Sequence, residues 1–168
     1  MKVVVVSLVV LAVLPVRCVA QEYTRWGLPE GAKMRLGKGR LGDIEYSPDG
    51  RRIAVASFIG IWLYDAANLQ EIALFRGHSG SNADVAFSPD GSMLASNAGY
   101  PVSSVRLWDA KTGELQRTLS GHTWIVNCVA FSPEREMLAS GASDDTVRLW
   151  HPGRGNIYEH SRGIPAPF

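Results

Sequence analysis

The protein has 168 residues, of which 46% are hydrophobic and 20% are charged. This composition is typical of a globular domain with a hydrophobic core and argues against a disordered chain. The formal net charge is only +1, whereas nucleic acids and anionic lipid surfaces attract a concentrated excess of Lys and Arg. We therefore expect no nucleic-acid partner.

The N-terminal segment differs in composition from the rest of the chain. Lys2 provides a short basic start, residues 3–16 are apolar except for Ser7, and small residues precede Gln21. This order is typical of a secretory signal peptide. The apolar run is shorter than the about 20 residues that a membrane-spanning helix needs. We predict a signal-peptide helix over 1–20, export to the periplasm or out of the cell, and no stable membrane span in the mature chain.

The chain has two cysteines, Cys18 and Cys128. Removal of residues 1–20 would leave Cys128 alone, so the mature chain could form no internal disulfide and would depend on packing for its stability. Cys128 lies in a largely apolar run, residues 126–131. We expect a buried small side chain there and not a reactive nucleophile.

Sequence repeats follow an N-terminal extension, residues 21–40, which contains a candidate outer strand at 33–37. A Ser-Pro-Asp-Gly segment occurs at 47–50 and 88–91 and degenerates at 132–135. A tryptophan follows each segment, at Trp62, Trp108 and Trp150. A Gly-His pair occurs twice, at 77–78 and 121–122. Markers that share one period identify a repeat protein. The assigned ranges are repeat 1 over 41–78, repeat 2 over 79–122, repeat 3 over 123–151, and an irregular C-terminal tail over 152–168, with a weak fourth strand considered at 156–160.

The second repeat indicates the fold class most clearly. Its short apolar or alternating runs, typical of β-strands, lie at 84–87, 93–96, 105–108 and 114–119. Pro, Asp and Gly favour the tight turn after the first run. No repeat has a sustained helical period. We predict an all-β protein whose repeats are four-stranded antiparallel meanders that stack face to face.

The combination of Gly-His, Ser-Pro-Asp-Gly, Leu-Ala-Ser and Val-Arg-Leu-Trp-Asp resembles the WD-repeat β-propeller family, over about residues 34–150. The resemblance implies a partial propeller of three blades. It also implies a hydrogen-bonded network of His, Ser, Asp and Trp within a blade. Repeat 3 has all four members, His122, Ser140, Asp144 and Trp150. Repeat 2 has His78, Ser96 and Trp108 but lacks the Asp.

A Ser-His-Asp set also invites a catalytic interpretation. A nucleophilic site needs an exposed hydroxyl beside an oxyanion hole, often on a Gly-x-Ser-x-Gly elbow, and the sequence has no such elbow. The four histidines show no metal-ligand spacing. We therefore favour a structural role for these residues and expect no enzymatic activity, no metal and no cofactor.

The function expected from this fold is that of a scaffold that binds proteins or peptides through exposed loops. The candidate binding-loop residues are Tyr100, Thr123 and Trp124. The alternatives are a propeller fragment of an exported hydrolase, a sugar-binding or cofactor-binding protein, and a truncated gene product without function. Because a closed propeller has at least about four blades, three repeats indicate either a gene fragment or self-association of chains that pool their blades to complete the ring.

Overall fold

The computed structural model describes residues 30, 32, 36, 40–77, 84–98, 103–134, 137–154 and, for the backbone alone, 157–162. The chain forms two compact units, Met1–Arg35 and Leu36–Phe168, and all the strands lie in the second. The predicted signal-peptide helix and most of the extension over 21–40 lie outside the described residues. Within the ranges above, the structure has twelve strands and no helix.

The strands form three four-stranded antiparallel sheets, which we call blades 1, 2 and 3. Blade 1 contains β1 (Leu41–Tyr46), β2 (Arg52–Ser57), β3 (Gly60–Asp65) and β4 (Glu71–Phe75). Blade 2 contains β5 (Val85–Phe87), β6 (Met93–Ala98), β7 (Ser104–Asp109) and β8 (Leu115–Ser120). Blade 3 contains β9 (Val126–Phe131), β10 (Leu138–Ala142), β11 (Thr146–Trp150) and β12 (Ile157–Arg162). Each blade is a meander in chain order, which confirms the all-β prediction.

The Ser-Pro-Asp-Gly segments form the turns between the first and second strands. In blade 1, the Ser47 hydroxyl donates to Asp49 Oδ1 at 2.6 Å and accepts the Arg52 N–H at 2.9 Å. Gly50 has φ +68°, a conformation that costs glycine little. Blade 2 repeats this arrangement with Ser88 and Asp90. The turn residues thus provide local hydrogen bonds and allow the backbone conformation of the turn, as the sequence predicts.

Among the described residues, two of the three hydrophobic core clusters lie between blades, and the third lies on one face of blade 1. We call the face of a blade toward the preceding blade its leading face and the opposite one its trailing face. Alternation along each strand assigns neighbouring residues to opposite faces. The first interface joins the trailing face of blade 1 to the leading face of blade 2 through Ala54, Ala56, Ile61, Leu63, Phe75, Val85, Phe87, Leu94 and Trp108. The second joins blade 2 to blade 3 through Ala86, Ala95, Val105, Leu107, Leu119, Val126, Val129, Leu138 and Trp150.

The three repeated tryptophans lie on third strands, but they are not all equivalent. The equivalent cross-strand pairs are Ile53↔Tyr64, Leu94↔Trp108 and Leu138↔Trp150. Trp62 pairs with Val55, two residues from the repeated position. The equivalence inferred for Trp62 from spacing was therefore wrong, and Tyr64 occupies that place. Two aromatic residues on one face of one strand made the assignment ambiguous in the sequence.

Two further expectations differ from the structure. The tail over 152–168, predicted to be irregular with only a weak fourth strand considered at 156–160, contains the paired strand β12 (Ile157–Arg162), which satisfies backbone groups of β11 that an edge strand would leave unpaired. Cys128, predicted to be buried, is a free and exposed cysteine. It lies on the trailing face of blade 3, against which no described blade packs.

Candidate functional site

The predicted quartet of blade 3 comes together as one chain of hydrogen bonds. Trp150 Nε1 donates to Ser140 Oγ at 2.8 Å. Ser140 Oγ lies 2.7 Å from His122 Nε2, and His122 Nδ1 lies 2.9 Å from Asp144 Oδ2. Since the indole can only donate, the Ser140 hydroxyl is free to donate to Nε2, and a proton on Nδ1 then reaches Asp144. Every polar group of the quartet thereby has a partner.

Two further residues complete the environment of Asp144: Thr123, predicted only as a binding-loop residue, and Thr146, which the sequence did not single out. The Thr146 hydroxyl donates to Asp144 Oδ1 at 2.6 Å, and the Thr123 N–H donates to Oδ2 at 2.9 Å. Burial raises the pKa of Asp144, but the bonds from Thr146, Thr123 and His122 outweigh burial and hold this pKa well below its usual range. The carboxylate is therefore a fixed negative charge in the turn between β10 and β11. The Thr two residues after the Asp is the signal that could have indicated this arrangement.

The same geometry argues against nucleophilic chemistry at this quartet. Ser140 is almost completely buried, and its oxygen is occupied by the Trp150 indole. The His122 ring also contacts the Trp150 ring edge-on, with centroids 6.1 Å apart. A hydroxyl in this position cannot meet a substrate carbonyl, so the quartet holds strands together instead of performing acyl transfer.

Blade 2 keeps only part of this network within the described residues. Trp108 Nε1 donates to Ser96 Oγ at 2.9 Å, and both side chains are buried. His78 and Tyr100 lie outside the described residues. Buried Asn97 supplies a different connection: its Oδ1 accepts the Asp84 N–H at 2.8 Å, and its Nδ2 donates to the Val126 carbonyl at 2.8 Å. One amide therefore joins blade 2 to the first strand of blade 3.

Carboxylates on or immediately before the inner strands form a second set of connections that sequence reasoning missed. Glu45 Oε2 accepts the Phe87 N–H at 2.6 Å, and Asp84 Oδ2 accepts the Val129 N–H at 2.7 Å. Burial is the main cause that raises the pKa of both Glu45 and Asp84, and the nearby Asp43 adds to it. Each carboxylate reaches from the inner edge of one blade to the inner edge of the next.

Arg52 forms a third connection between blades. Its guanidinium donates to the carbonyls of Ala110 and Gly91, both at 2.9 Å, and lies 5.6 Å from the centre of the Phe87 ring. Arg52 thus connects blades 1 and 2 through hydrogen bonds and a cation–π contact.

The candidate loop residues Thr123 and Trp124 lie at the end of the sheets where the inner strands begin, which we call the His122 end. Both are exposed, and Trp124 is 60% exposed. The turn between β2 and β3 places Phe58 and Ile59, also exposed, at the corresponding end of blade 1. The His122 end therefore presents aromatic and aliphatic side chains to solvent on a backbone fixed by hydrogen bonds.

The described residues contain no group of three or more His, Cys, Asp or Glu side chains arranged to hold a metal ion. Over those same ranges, no helix is long and apolar enough to cross a membrane.

Comparisons with known proteins identify the family. The WD domain, G-beta repeat, matches residues 69–109 and 113–151. Each match begins at or near the outer strand of one blade and ends after the third strand of the next. The chain belongs to the WD-repeat family. The tryptophan–serine pairs of blades 2 and 3, Trp108 with Ser96 and Trp150 with Ser140, lie within these two matched segments.

The similar proteins are longer than this chain. It is 34% identical over 136 residues to Nuclear distribution protein PAC1 of Arthroderma benhamiae, covering 74% of this chain and 30% of that protein. It is 36% identical over 124 residues to an uncharacterized WD repeat-containing protein of Synechocystis sp., covering 73% and 35%. The chain therefore spans about a third of these relatives, whose names provide no support for export.

A solved structure shows the same fold. The structure of U3-55K superposes with a TM-score of 0.71 at 21% sequence identity, covering 78% of this chain and 42% of that one. This similarity extends to the arrangement of blades and not to function.

Proposed function

We propose that this protein is a non-enzymatic WD-repeat scaffold that binds a protein or peptide at the His122 end, with Trp124 as the main contact. The observation that carries this proposal is an exposed tryptophan held on a rigid support. The N–H of Thr123, immediately before Trp124, is bound by the Asp144 carboxylate. Asp144 in turn is bonded to the His122 ring.

Rigid presentation matters because binding costs conformational entropy for every group that must be ordered. Tryptophans are frequent among the residues that dominate binding energy, provided that they enter a desolvated pocket on the partner. Trp124 is rigidly presented in the free protein: its side chain is 60% exposed, and the N–H of the preceding Thr123 is already hydrogen-bonded to Asp144. A partner with an apolar pocket or an exposed aliphatic side chain would complete the contact.

A random peptide library displayed on phage tests this proposal. The protein is immobilised, bound peptides are selected, and each selected peptide is remeasured against Trp124→Ala by calorimetry. We expect at least tenfold weaker binding to the variant, about 1.4 kcal/mol. Leu115→Ala is the matched control because Leu115 is also an exposed apolar residue but lies on the outer strand of blade 2. Selected peptides that bind Trp124→Ala as well as the original protein, or no enrichment at all, would refute this site.

No geometry among the described residues favours the hydrolase or the sugar-binding and cofactor-binding alternatives. Export stays a proposal that depends on residues 1–20 alone. A C-terminal alkaline phosphatase fusion in a bacterial host tests it, since that reporter is active only outside the cytoplasm. We expect activity with the full chain and none after deletion of residues 2–20. Equal activity of the two fusions would count against export.

A further inference from the structure

Blades 2 and 3 have a hydroxyl at the same place on their third strands. Thr146 lies four residues before Trp150, and Ser104 lies four residues before Trp108. Since these two tryptophans occupy equivalent positions in the strand register, the two hydroxyls are equivalent as well. In blade 3, the Thr146 hydroxyl donates to Asp144 Oδ1 at 2.6 Å. It therefore has an anionic partner within its own blade.

The Ser104 hydroxyl of blade 2 has no such partner. Ser104 is only 3% exposed, and its Oγ is buried without a hydrogen bond among the described residues. The segments of repeat 2 that correspond to the surroundings of Asp144 are 77–83 and 97–104, and neither contains Asp or Glu. A buried hydroxyl without a partner is unfavourable. Blade 2 therefore keeps a donor for which the chain supplies no carboxylate.

Arg106 adds a positive charge close to this hydroxyl. It lies two residues after Ser104, which places it on the same face of the strand. Its Nε is buried without a partner in the described part of the chain, and the same is true of Arg148 at the equivalent place in blade 3. The arginine is thus common to both blades. The difference between the blades is that only blade 3 has a carboxylate, Asp144, to accompany it.

We propose that blade 2 binds a carboxylate of a partner at the place that Asp144 takes in blade 3, with the Ser104 hydroxyl as a donor and Arg106 as a source of positive charge. A carboxylate suits this place because the side chain of Asp144 is itself only 6% exposed. The fold of a blade thus accommodates a buried carboxylate there when hydroxyl and N–H groups donate to it.

This inference deepens the proposed function and rests on it, since the carboxylate belongs to the peptide that meets Trp124. The connection between β6 and β7, which precedes Ser104, is at the His122 end, as is the turn that carries Asp144. Asn97 links the two contacts, because it precedes this connection and donates to the carbonyl of Val126, two residues after Trp124. The partner is therefore a peptide with both an apolar side chain and an acidic group.

Acetate is the simplest probe of this site and tests it without a peptide. The isotope-labelled full chain is titrated by nuclear magnetic resonance with sodium acetate and, in parallel, with sodium chloride at equal ionic strength. We expect saturable shifts of the Ser104 and Val105 amide resonances with acetate alone. In Ser104→Ala, acetate should bind at least tenfold more weakly, because hydrogen bonds to charged groups are strong.

Two controls accompany the titration. Ser143→Ala removes an exposed hydroxyl at the same end of blade 3 and should leave the affinity for acetate unchanged. Near-ultraviolet dichroism establishes that each variant keeps its fold. Ser104→Ala is expected to fold, because this hydroxyl makes no hydrogen bond among the described residues.

The peptides selected on the immobilised protein identify the source of the carboxylate. Each peptide is remeasured by calorimetry in three forms: as synthesised, with Asn and Gln in place of Asp and Glu, and with an amidated C-terminus. We expect at least tenfold weaker binding for one of the two altered forms, which shows whether a side chain or the C-terminus supplies the carboxylate. Because the same contact is removed, Ser104→Ala should weaken binding of the unaltered peptide and have little effect on that altered form.

The outcomes separate this inference from the proposed function. Peptides that depend on Trp124 but bind Ser104→Ala as tightly as the original protein would overturn the carboxylate site and leave the Trp124 contact in place. Acetate that shifts no resonance at Ser104, or that binds Ser104→Ala equally well, would also overturn the site. Acetate binding that depends on Ser104, together with no peptide that depends on Trp124, would support the carboxylate site and refute the proposed function.

Discussion

Blades 2 and 3 share one hydrogen bond and differ in what surrounds it. Both have a third-strand tryptophan that donates to a buried second-strand serine. In blade 3, His122 and Asp144 extend this bond into a charged network within the blade. In blade 2, Asn97 donates one hydrogen bond across the interface, to the Val126 carbonyl of blade 3. The comparison shows that the buried indole N–H has the same kind of partner in both blades, whereas the polar residues around this bond make different connections.

The largest loss of stability is expected from Asp144→Asn. The amide nitrogen cannot accept the donors that now meet Asp144, and hydrogen bonds to charged groups contribute about 1.5–3 kcal/mol each. We expect the free energy of unfolding in urea to fall by about 3 kcal/mol. Asp145→Asn is the matched control, because the adjacent Asp145 is exposed and has positive φ, which asparagine tolerates. Equal small losses in both variants would show that the network contributes little.

A smaller loss is expected from Asn97→Ala. The change leaves the Asp84 N–H and the Val126 carbonyl without their buried partner, at about 1–3 kcal/mol. We expect a loss of about 2 kcal/mol by urea titration. The control is Asn127→Ala, since Asn127 is exposed and its side chain is hydrogen-bonded to the exposed Ser143 side chain. If Asn97→Ala is as stable as Asn127→Ala, the connection between blades 2 and 3 does not depend on this amide.

The smallest expected effect is on the pH dependence of stability, to which Asp144 and Asp84 contribute with opposite signs. The pKa of Asp144 is lowered on folding, so its contribution to stability is present above the unfolded value of about 4 and is lost as the pH falls through the folded value. The pKa of Asp84 is raised by burial, so stability rises as the pH falls through its folded value, above about 4. Urea titrations of Asp144→Asn, Asp84→Asn and the unaltered protein between about pH 7 and 3 check this.

As the pH falls, the difference in the free energy of unfolding between the unaltered protein and Asp144→Asn should become smaller. For Asp84→Asn, the free energy of unfolding of the unaltered protein should increase relative to that of the variant as the pH falls. Parallel curves for the two variants would contradict the opposite environments of these carboxylates.

The sequence was sufficient where the signal is local or repeated. The turn residues at 47–50 and 88–91 and the period near 40 predicted meanders, which the structure confirms. The quartet of blade 3 could be named because its spacing is that of the family. The environment of Asp144 was only partly visible, since the N–H of Thr123 belongs to a segment more than twenty residues away.

The remaining features depend on contacts between blades. Glu45 and Asp84 appear in the sequence as ordinary polar residues of short strands, and their bonds to the next blade follow only from how the inner edges meet. Cys128 lies in a strand with the composition of a buried one, but its exposure depends on whether another blade covers it. The place of Tyr64 was missed because Trp62 lies two residues away on the same face.

The offset between the family repeat and the blade has a consequence for how such genes change in length. A matched segment such as 69–109 contributes an outer strand to one sheet and three strands to the next. Duplication of a segment with these limits would insert a complete set of four strands while every sheet keeps its outer strand. Copy number can therefore change in steps of about 40–45 residues without creating an unpaired edge, which would otherwise promote aggregation.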